Sequence, residues 1–115
     1  MTAAERALGK SQSIEEETFA PLPVDKWGSV LLEAQYLVHG DRGVDYGPPL
    51  DDFSRTAMMW SAILGAPVTA EQVGLCMIAV KISRQCNSPK RDNLVDGAEY
   101  FETVQMVIDE RKRRG

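Results

Sequence analysis

The residues best placed to do chemistry lie between Lys81 and Tyr100, in KISRQCNSPKRDNLVDGAEY. Lys81 and Arg84 stand one helical turn apart, and so do Asp92 and Asp96, with a turn signal at Ser88-Pro89 between the two pairs. On an antiparallel helical hairpin, facing residues share a nearly constant sum of residue numbers. That rule matches Arg84 with Asp92 and Lys81 with Asp96. Two cations opposite two carboxylates can hold phosphate oxygens together with a metal ion, because Arg and Lys bind phosphate and hard divalent cations take carboxylate oxygen. Asp92, Asp96 and Glu99 step by four and then three along one helix face, a stripe able to hold Mg2+, and Thr103 stands where a fourth acid would fall. The same side chains also have a structural use. In that reading Asp92 and Asp96 are taken up in ion pairs with the preceding helix, and Glu99 and Glu102 are solvated. The single histidine, His39, has no matching Ser or Cys motif, and neither a phosphate-loop signature nor a dinucleotide fingerprint is present.

Helices must position these groups, and apolar spacing predicts four of them. The first spans about Lys26 to Val38 behind Asp25 as N-cap, with Trp27, Val30, Leu31, Ala34, Leu37 and Val38 on the buried face and Gly40 ending it. The second starts at Asp51 or Asp52 and ends at Leu64, with Gly65 as its C-cap. Phe53, Ala57, Trp60 and Leu64 form its stripe, widened by Met59 and Ile63, and Met58 to Trp60 are assigned to the core ahead of a partner surface. Thr69 and Gln72 make a capping box for a third helix running to about Cys86. Its apolar residues cover most of its circumference, so it is expected to be central, with Gly74 opening a groove beside Lys81 and Arg84. Ser88 as N-cap and Pro89 at the first helical position open the fourth helix, which runs to about Arg113 with Leu94, Gly97, Phe101, Val104 and Ile108 as its seam. Gly97 inside that helix implies close approach by another helix or a ligand. The basic run Arg111 to Arg114 reads as a frayed, solvated end.

Between the first two helices lies HGDRGVDYGPPLDD, rich in Gly, Pro and Asp. Compact domains seldom keep an irregular connection of that length without a use for it. His39 and Arg42 could contact an anion and Tyr46 could stack on a ring; the structural alternative has Tyr46 plugging the end of the bundle. Residues 1–23 read as a mobile N-terminal arm, and residues 24–115 as one all-α domain, a four-helix bundle with this long Gly/Pro loop. Phe19 and Leu22 give the arm a second reading, as a segment docking on a neighbouring subunit.

The net charge of −4, with 43% hydrophobic and 26% charged residues, fits a soluble globular domain and argues against nucleic acid as the partner. No run approaches the ~20 apolar residues needed to span a bilayer, and Met1 to Lys10 lacks a signal-peptide core, so a cytoplasmic location is expected. Cys76 and Cys86, ten residues apart on one helix, stand ~15 Å apart by helical rise and cannot bond to each other. They are expected to be reduced and buried.

Glu33, GDR from Gly40, YGPP from Tyr46, Phe53, WSAILG from Trp60, Cys76 and Met77, KISR from Lys81 and KRDNLVDGAEY from Lys90 occur in that order. This set resembles a family of small, mostly uncharacterised phage proteins common in actinobacterial phages. The skeleton YG, KxxR, DxxxD and Y is similar to the phage domain called nucleotide modification associated domain 1, and more distantly to MazG-type all-α nucleotide pyrophosphohydrolases. Those enzymes are helical, oligomeric and Mg2+-dependent, and cleave nucleoside triphosphates to monophosphate and pyrophosphate. One departure stands out: MazG-type enzymes carry an ExxE pair on the helix where this chain has Lys81 and Arg84 and no acid from Val73 to Cys86.

The resemblance implies a phage accessory protein in the host cytoplasm that binds or processes a nucleotide, with Mg2+ as a possible cofactor. Arg42 and Tyr46 on the loop would close over a wall made by Lys81, Arg84, Asp92, Asn93 and Asp96. Asn93 would read a base or sugar edge, and Tyr46 or Tyr100 would stack on the base. The alternative is a non-enzymatic binder that sequesters a signalling nucleotide or blocks a host protein. A homo-oligomer is expected from the very apolar third helix.

Overall fold

The computed structural model describes residues 28–115. The arm, Asp25, Lys26 and Trp27 lie outside the described residues. Five helices follow in order: α1 (Val30–His39), α2 (Asp41–Tyr46), α3 (Pro49–Leu64), α4 (Ala70–Asn87) and α5 (Arg91–Arg114). The described residues contain no strand, and the chain is all-α as its periodicity predicts.

Local sequence sets most of the helix ends. Ser29, not Asp25, caps α1, its hydroxyl accepting from the Leu32 amide at 3.3 Å. Gly40 follows α1 at a point where a β-carbon would stand 2.7 Å from the Tyr36 carbonyl oxygen, so the chain can turn there only without a side chain. The Gly/Pro connection is not irregular throughout: α2 occupies its middle, and α3 begins at Pro49, earlier than Asp51, because Pro48 supplies the carbonyl that accepts from the Asp51 and Asp52 amides. Gly65 ends α3 in the left-handed region at φ 69°, its amide donating to the Ser61 carbonyl. The capping box of α4 is complete: the Gln72 amide donates to Thr69 Oγ1 at 3.1 Å, and the Thr69 amide to Gln72 Oε1 at 2.9 Å.

The turn between α4 and α5 departs from expectation. Ser88 closes α4 rather than opening α5, and α5 starts at Arg91 with Lys90 as its cap. Gln85 is the reason. Its side-chain oxygen accepts from the Lys90 amide at 2.9 Å and from Asn93 Nδ2 at 3.1 Å, fixing the return of the chain two residues later than Ser-Pro chemistry alone would.

The long helix α5 packs against α4, α1 and α3, and α3 also packs on α4. Leu50, Phe53, Ala57, Ala70, Val73 and Val107 form the main core, joined by Trp60, Val68 and Tyr100. Gly74 sits where α4 presses closest: a β-carbon there would overlap Val104 Cγ2 and reach 3.1 Å from Phe53 Cε2. The cations at the end of α5 are engaged rather than frayed. Arg114 Nη1 reaches Asp51 Oδ1 at 2.6 Å and Arg111 Nη2 reaches Glu71 Oε1 at 2.6 Å, clipping α5 to α3 and α4.

Several apolar residues expected inside are outside. The central helix is α5, not α4, whose Leu75, Cys76, Ile82 and Cys86 are exposed. Met58, Met59, Ile63 and Leu64 on α3 are exposed too. Gly97 meets no close approach, since a β-carbon there would find nothing within 4 Å. Periodicity identified the apolar faces, but the described residues supply no element to cover these.

Candidate functional site

Glu99 is the chemical centre of the molecule. It lies on the inner side of α5, 3% exposed; as a carboxylate it finds no hydrogen-bond donor among the described residues, and in its protonated form it shares a hydrogen bond with Asp96. A buried polar group without partners is rare in folded proteins and costs free energy. Arg42 Nη1 from α2 stands 3.0 Å from Glu99 Oε1, giving charge compensation without a directed hydrogen bond. Burial pushes the carboxyl up to about 7, the neighbouring Asp96 and Glu33 push the same way, and Arg42 opposes them. Glu33, itself 4% exposed, comes from α1 and receives Arg91 Nε at 3.1 Å.

Beside Glu99 opens a cavity of about 300 Å3 between α2, α3 and α5. Tyr46, Phe53 and Tyr100 provide aromatic wall, Val38 and Met106 add apolar floor, and Arg42, Asp52, Glu99 and Thr103 are its polar groups. The Phe53 and Tyr100 rings lie 6.4 Å apart at 35°. Burial raises the Tyr100 hydroxyl above its ordinary value, against the pull of Lys81 and Arg42. Thr103, in the place a fourth acid would have taken, donates its hydroxyl to the Glu99 carbonyl at 2.7 Å. Volume and lining suit one ring system with polar substituents.

The residues singled out from the sequence divide into two groups. Arg42, Tyr46, Tyr100 and Glu99 meet at the cavity. Lys81 and Asp96 pair as expected, Nζ to Oδ2 at 2.8 Å, close enough for both charges to act on Tyr100. Arg84, Asp92 and Asn93 lie at the hairpin turn instead. Arg84 and Asp92 are exposed, and among the described residues no ion pair joins them. The facing pair at that level is Gln85 with Asn93, so Arg84 and Asp92, one residue before each, turn off the seam. The Asn93 amide is taken up by Gln85 and closes the turn. The Asp92, Asp96 and Glu99 stripe does not assemble as a metal site either: Asp92 is exposed, Asp96 holds Lys81, and Glu99 is buried rather than solvated. Among the described residues no three His, Cys, Asp or Glu side chains group so as to hold a metal ion. His39 pairs with Glu102, Nε2 to Oε2 at 2.7 Å.

Two contributors escaped the reading of chemistry from sequence. Glu33 interrupts the apolar stripe Val30, Ala34, Leu37 of α1, and an acid on a buried face is itself a signal. Asp52 carried no comparable signal, since helix first turns are often acidic.

Residues 29–108 match the family model described as a domain of unknown function, DUF6378. The chain belongs to this family. DUF6378 relatives include the Gene 55 protein of Mycobacterium phage D29, 35% identical over 83 residues, which cover 71% of this chain and 55% of that protein. The Gene 55 protein of Mycobacterium phage L5 is 36% identical over 92 residues, covering 76% of this chain and 59% of that protein. The chain thus spans less than two thirds of the length of these phage relatives. No solved structure matches it. No helix among the described residues is long and apolar enough to cross a membrane.

Proposed function

We propose that this DUF6378 chain binds a nucleotide, base inward, in the Glu99 cavity. The observation that carries the reading is the convergence of a buried, unsatisfied carboxylate, three aromatic walls and one guanidinium on a space of about 300 Å3. The polarity of the site sets the orientation. Glu99 and Asp52 outnumber Arg42 inside, so a phosphate at the deep end would meet net negative charge. A base or sugar offering N–H or O–H donors to Glu99, stacked between Tyr46 and Phe53 or Tyr100, satisfies what the cavity leaves open. Phosphate oxygens then remain at the rim, where Arg42 is 44% exposed and has donors beyond the one facing Glu99. Lys81 and Arg84, the phosphate ligands expected from the hairpin, serve less well: one is committed to Asp96 and the other lies at the turn.

Mg2+ held by protein carboxylates alone does not fit the donor set, since Asp92 is exposed at the turn and Asp96, though beside Glu99, is paired with Lys81. Binding is therefore the activity these residues support. Pyrophosphate release of the MazG kind and simple sequestration are the two uses such a site could have, and the missing carboxylate group favours sequestration.

The test is thermal unfolding and calorimetric titration of the full chain with nucleoside mono- and triphosphates, with and without Mg2+. At least one nucleotide should raise the Tm, corresponding to about 2.7 kcal/mol at a hundredfold excess over Kd. Arg42→Ala should weaken binding about tenfold, as expected for losing one charge-assisted phosphate contact. If no nucleotide moves the Tm, the reading fails and a host-protein partner replaces it. Pyrophosphate assayed in the same mixtures separates processing from sequestration.

A further inference from the structure

The side of the α4–α5 hairpin that faces away from the cavity is apolar, and no element among the described residues covers it. On α4, Leu75, Ala79, Ile82 and Cys86 recur at steps of four and three, all exposed, and Arg84 is the sole charged residue among the exposed positions from Gln72 to Asn87. A solvent-facing side of a helix normally carries several charges. On α5, Leu94 is 49% and Phe101 62% exposed, with Gly97 open to space between them.

These residues share one surface, as helix geometry shows. Lys81 meets Asp96, Gln85 meets Asn93, and Gly74 packs against Val104, so these positions face each other across the hairpin. Each following residue is rotated by about 100°. Between antiparallel right-handed helices that rotation carries both chains to the same side of the pair. Leu75, Ile82, Cys86, Leu94 and Gly97 each follow a facing residue, so they turn outward together, and Phe101 lies between Leu94 and Gly97 on the same arc. Of the residues before the facing positions, Val73 and Val95 are buried on the opposite side, while Arg84 and Asp92 reach solvent near the turn.

We infer that this outer face packs against a second copy of the chain, two α4–α5 hairpins meeting back to back about a two-fold axis. Steps of three and four on both helices are what helix-on-helix packing at shallow angles requires, and a two-fold axis lets one surface satisfy itself. The face is roughly 25 Å long and 20 Å wide. Corrugated side chains bury more accessible area than their footprint, which brings it to the order of ~800 Å2 per partner typical of stable complexes. A charged partner finds no complement in a face this poor in charge. Gly97 leaves room for a facing side chain to seat between Leu94 and Phe101. Because the cavity is on the other side of α5, pairing leaves its mouth open.

Sedimentation velocity of the full chain from about 1 to 100 μM decides the matter. A dimer that dissociates on dilution is expected, and Ile82→Glu and Phe101→Glu should each raise its dissociation constant by about a hundredfold while far-UV circular dichroism stays unchanged. Both positions are exposed in the single chain, so the variants should fold. A wild-type monomer across the range overturns the inference, including one whose α4 amides are protected from hydrogen exchange by residues 1–27. A dimer indifferent to both substitutions overturns it too, and places the contact on the Met58 to Leu64 surface of α3. Nucleotide binding should be unaffected by Ile82→Glu, so this result and that of the cavity stand or fall separately.

Discussion

The two sides of α5 reverse the ordinary distribution of side chains. On the inner side Glu99 and Glu33 are nearly inaccessible, while on the outer side Phe101 and, across the hairpin, Ile82 stand in water. Folding of a single chain rewards neither arrangement: the buried acid loses hydration for one ion pair with Arg42 and a neighbour of its own sign in Asp96, and the exposed ring keeps its apolar surface wet. Groups that a lone fold would not select point to something the lone fold lacks. The chemistry distinguishes the two cases, since an unsatisfied carboxylate asks for a small donor-bearing molecule and an uncharged helical face asks for another protein surface.

Breaking the inner packing should produce the largest change. Gly74→Val places methyls where Val104 and Phe53 already meet, and should destabilise by about 3 kcal/mol in urea unfolding, shifting the midpoint with little change in slope. Next comes Glu99→Gln, with the opposite sign. The folded carboxyl sits at about 7 against an ordinary 4.5, so between these values the native state holds a proton that the unfolded chain has released. Stability contributed by that group therefore falls as pH rises from about 4.5 to about 7 and stays low above it. Glu99→Gln should raise stability at pH 8 by about 2 kcal/mol and flatten this decline, measured as Tm against pH. A wild-type Tm insensitive to pH over this window would show Glu99 well hydrated and remove the contrast between the two sides. Smaller effects belong to the hairpin. Asp96→Ala strands Lys81, which is 16% exposed, and should cost about 1–2 kcal/mol, whereas Asp92→Ala should stay within about 0.5 kcal/mol because Asp92 is exposed and no ion pair among the described residues holds it.

What could be read in the sequence follows the range of the interactions involved. The Thr69–Gln72 capping box and the left-handed Gly65 depend on neighbours within a few residues and were legible outright. The Lys81–Asp96 pair was legible because hairpin register is simple counting. Arg84 with Asp92 failed by the same counting, since the turn held by Gln85 puts each of them one residue off the seam. The α4 face illustrates the wider limit: spacing says that a helix face is apolar, not whether its cover is another helix of the chain or a different molecule. At the site, Arg42, Tyr46 and Tyr100 were found through the Gly/Pro connection and the hairpin. Glu33 gains its importance from lying across from α5, where it receives Arg91, a neighbour distant in sequence that spacing alone does not supply.

With its carboxyl raised to about 7 by burial, Glu99 can trade a proton with the buffer when its surroundings change. Filling the cavity with a donor drives that proton out; filling it with an acceptor draws one in. Heats of titration recorded in phosphate and in Tris would then differ by the number of protons exchanged times the difference between the buffers' ionisation enthalpies, so a colourless site reports its occupancy and, through the sign of that number, the polarity of what has entered it.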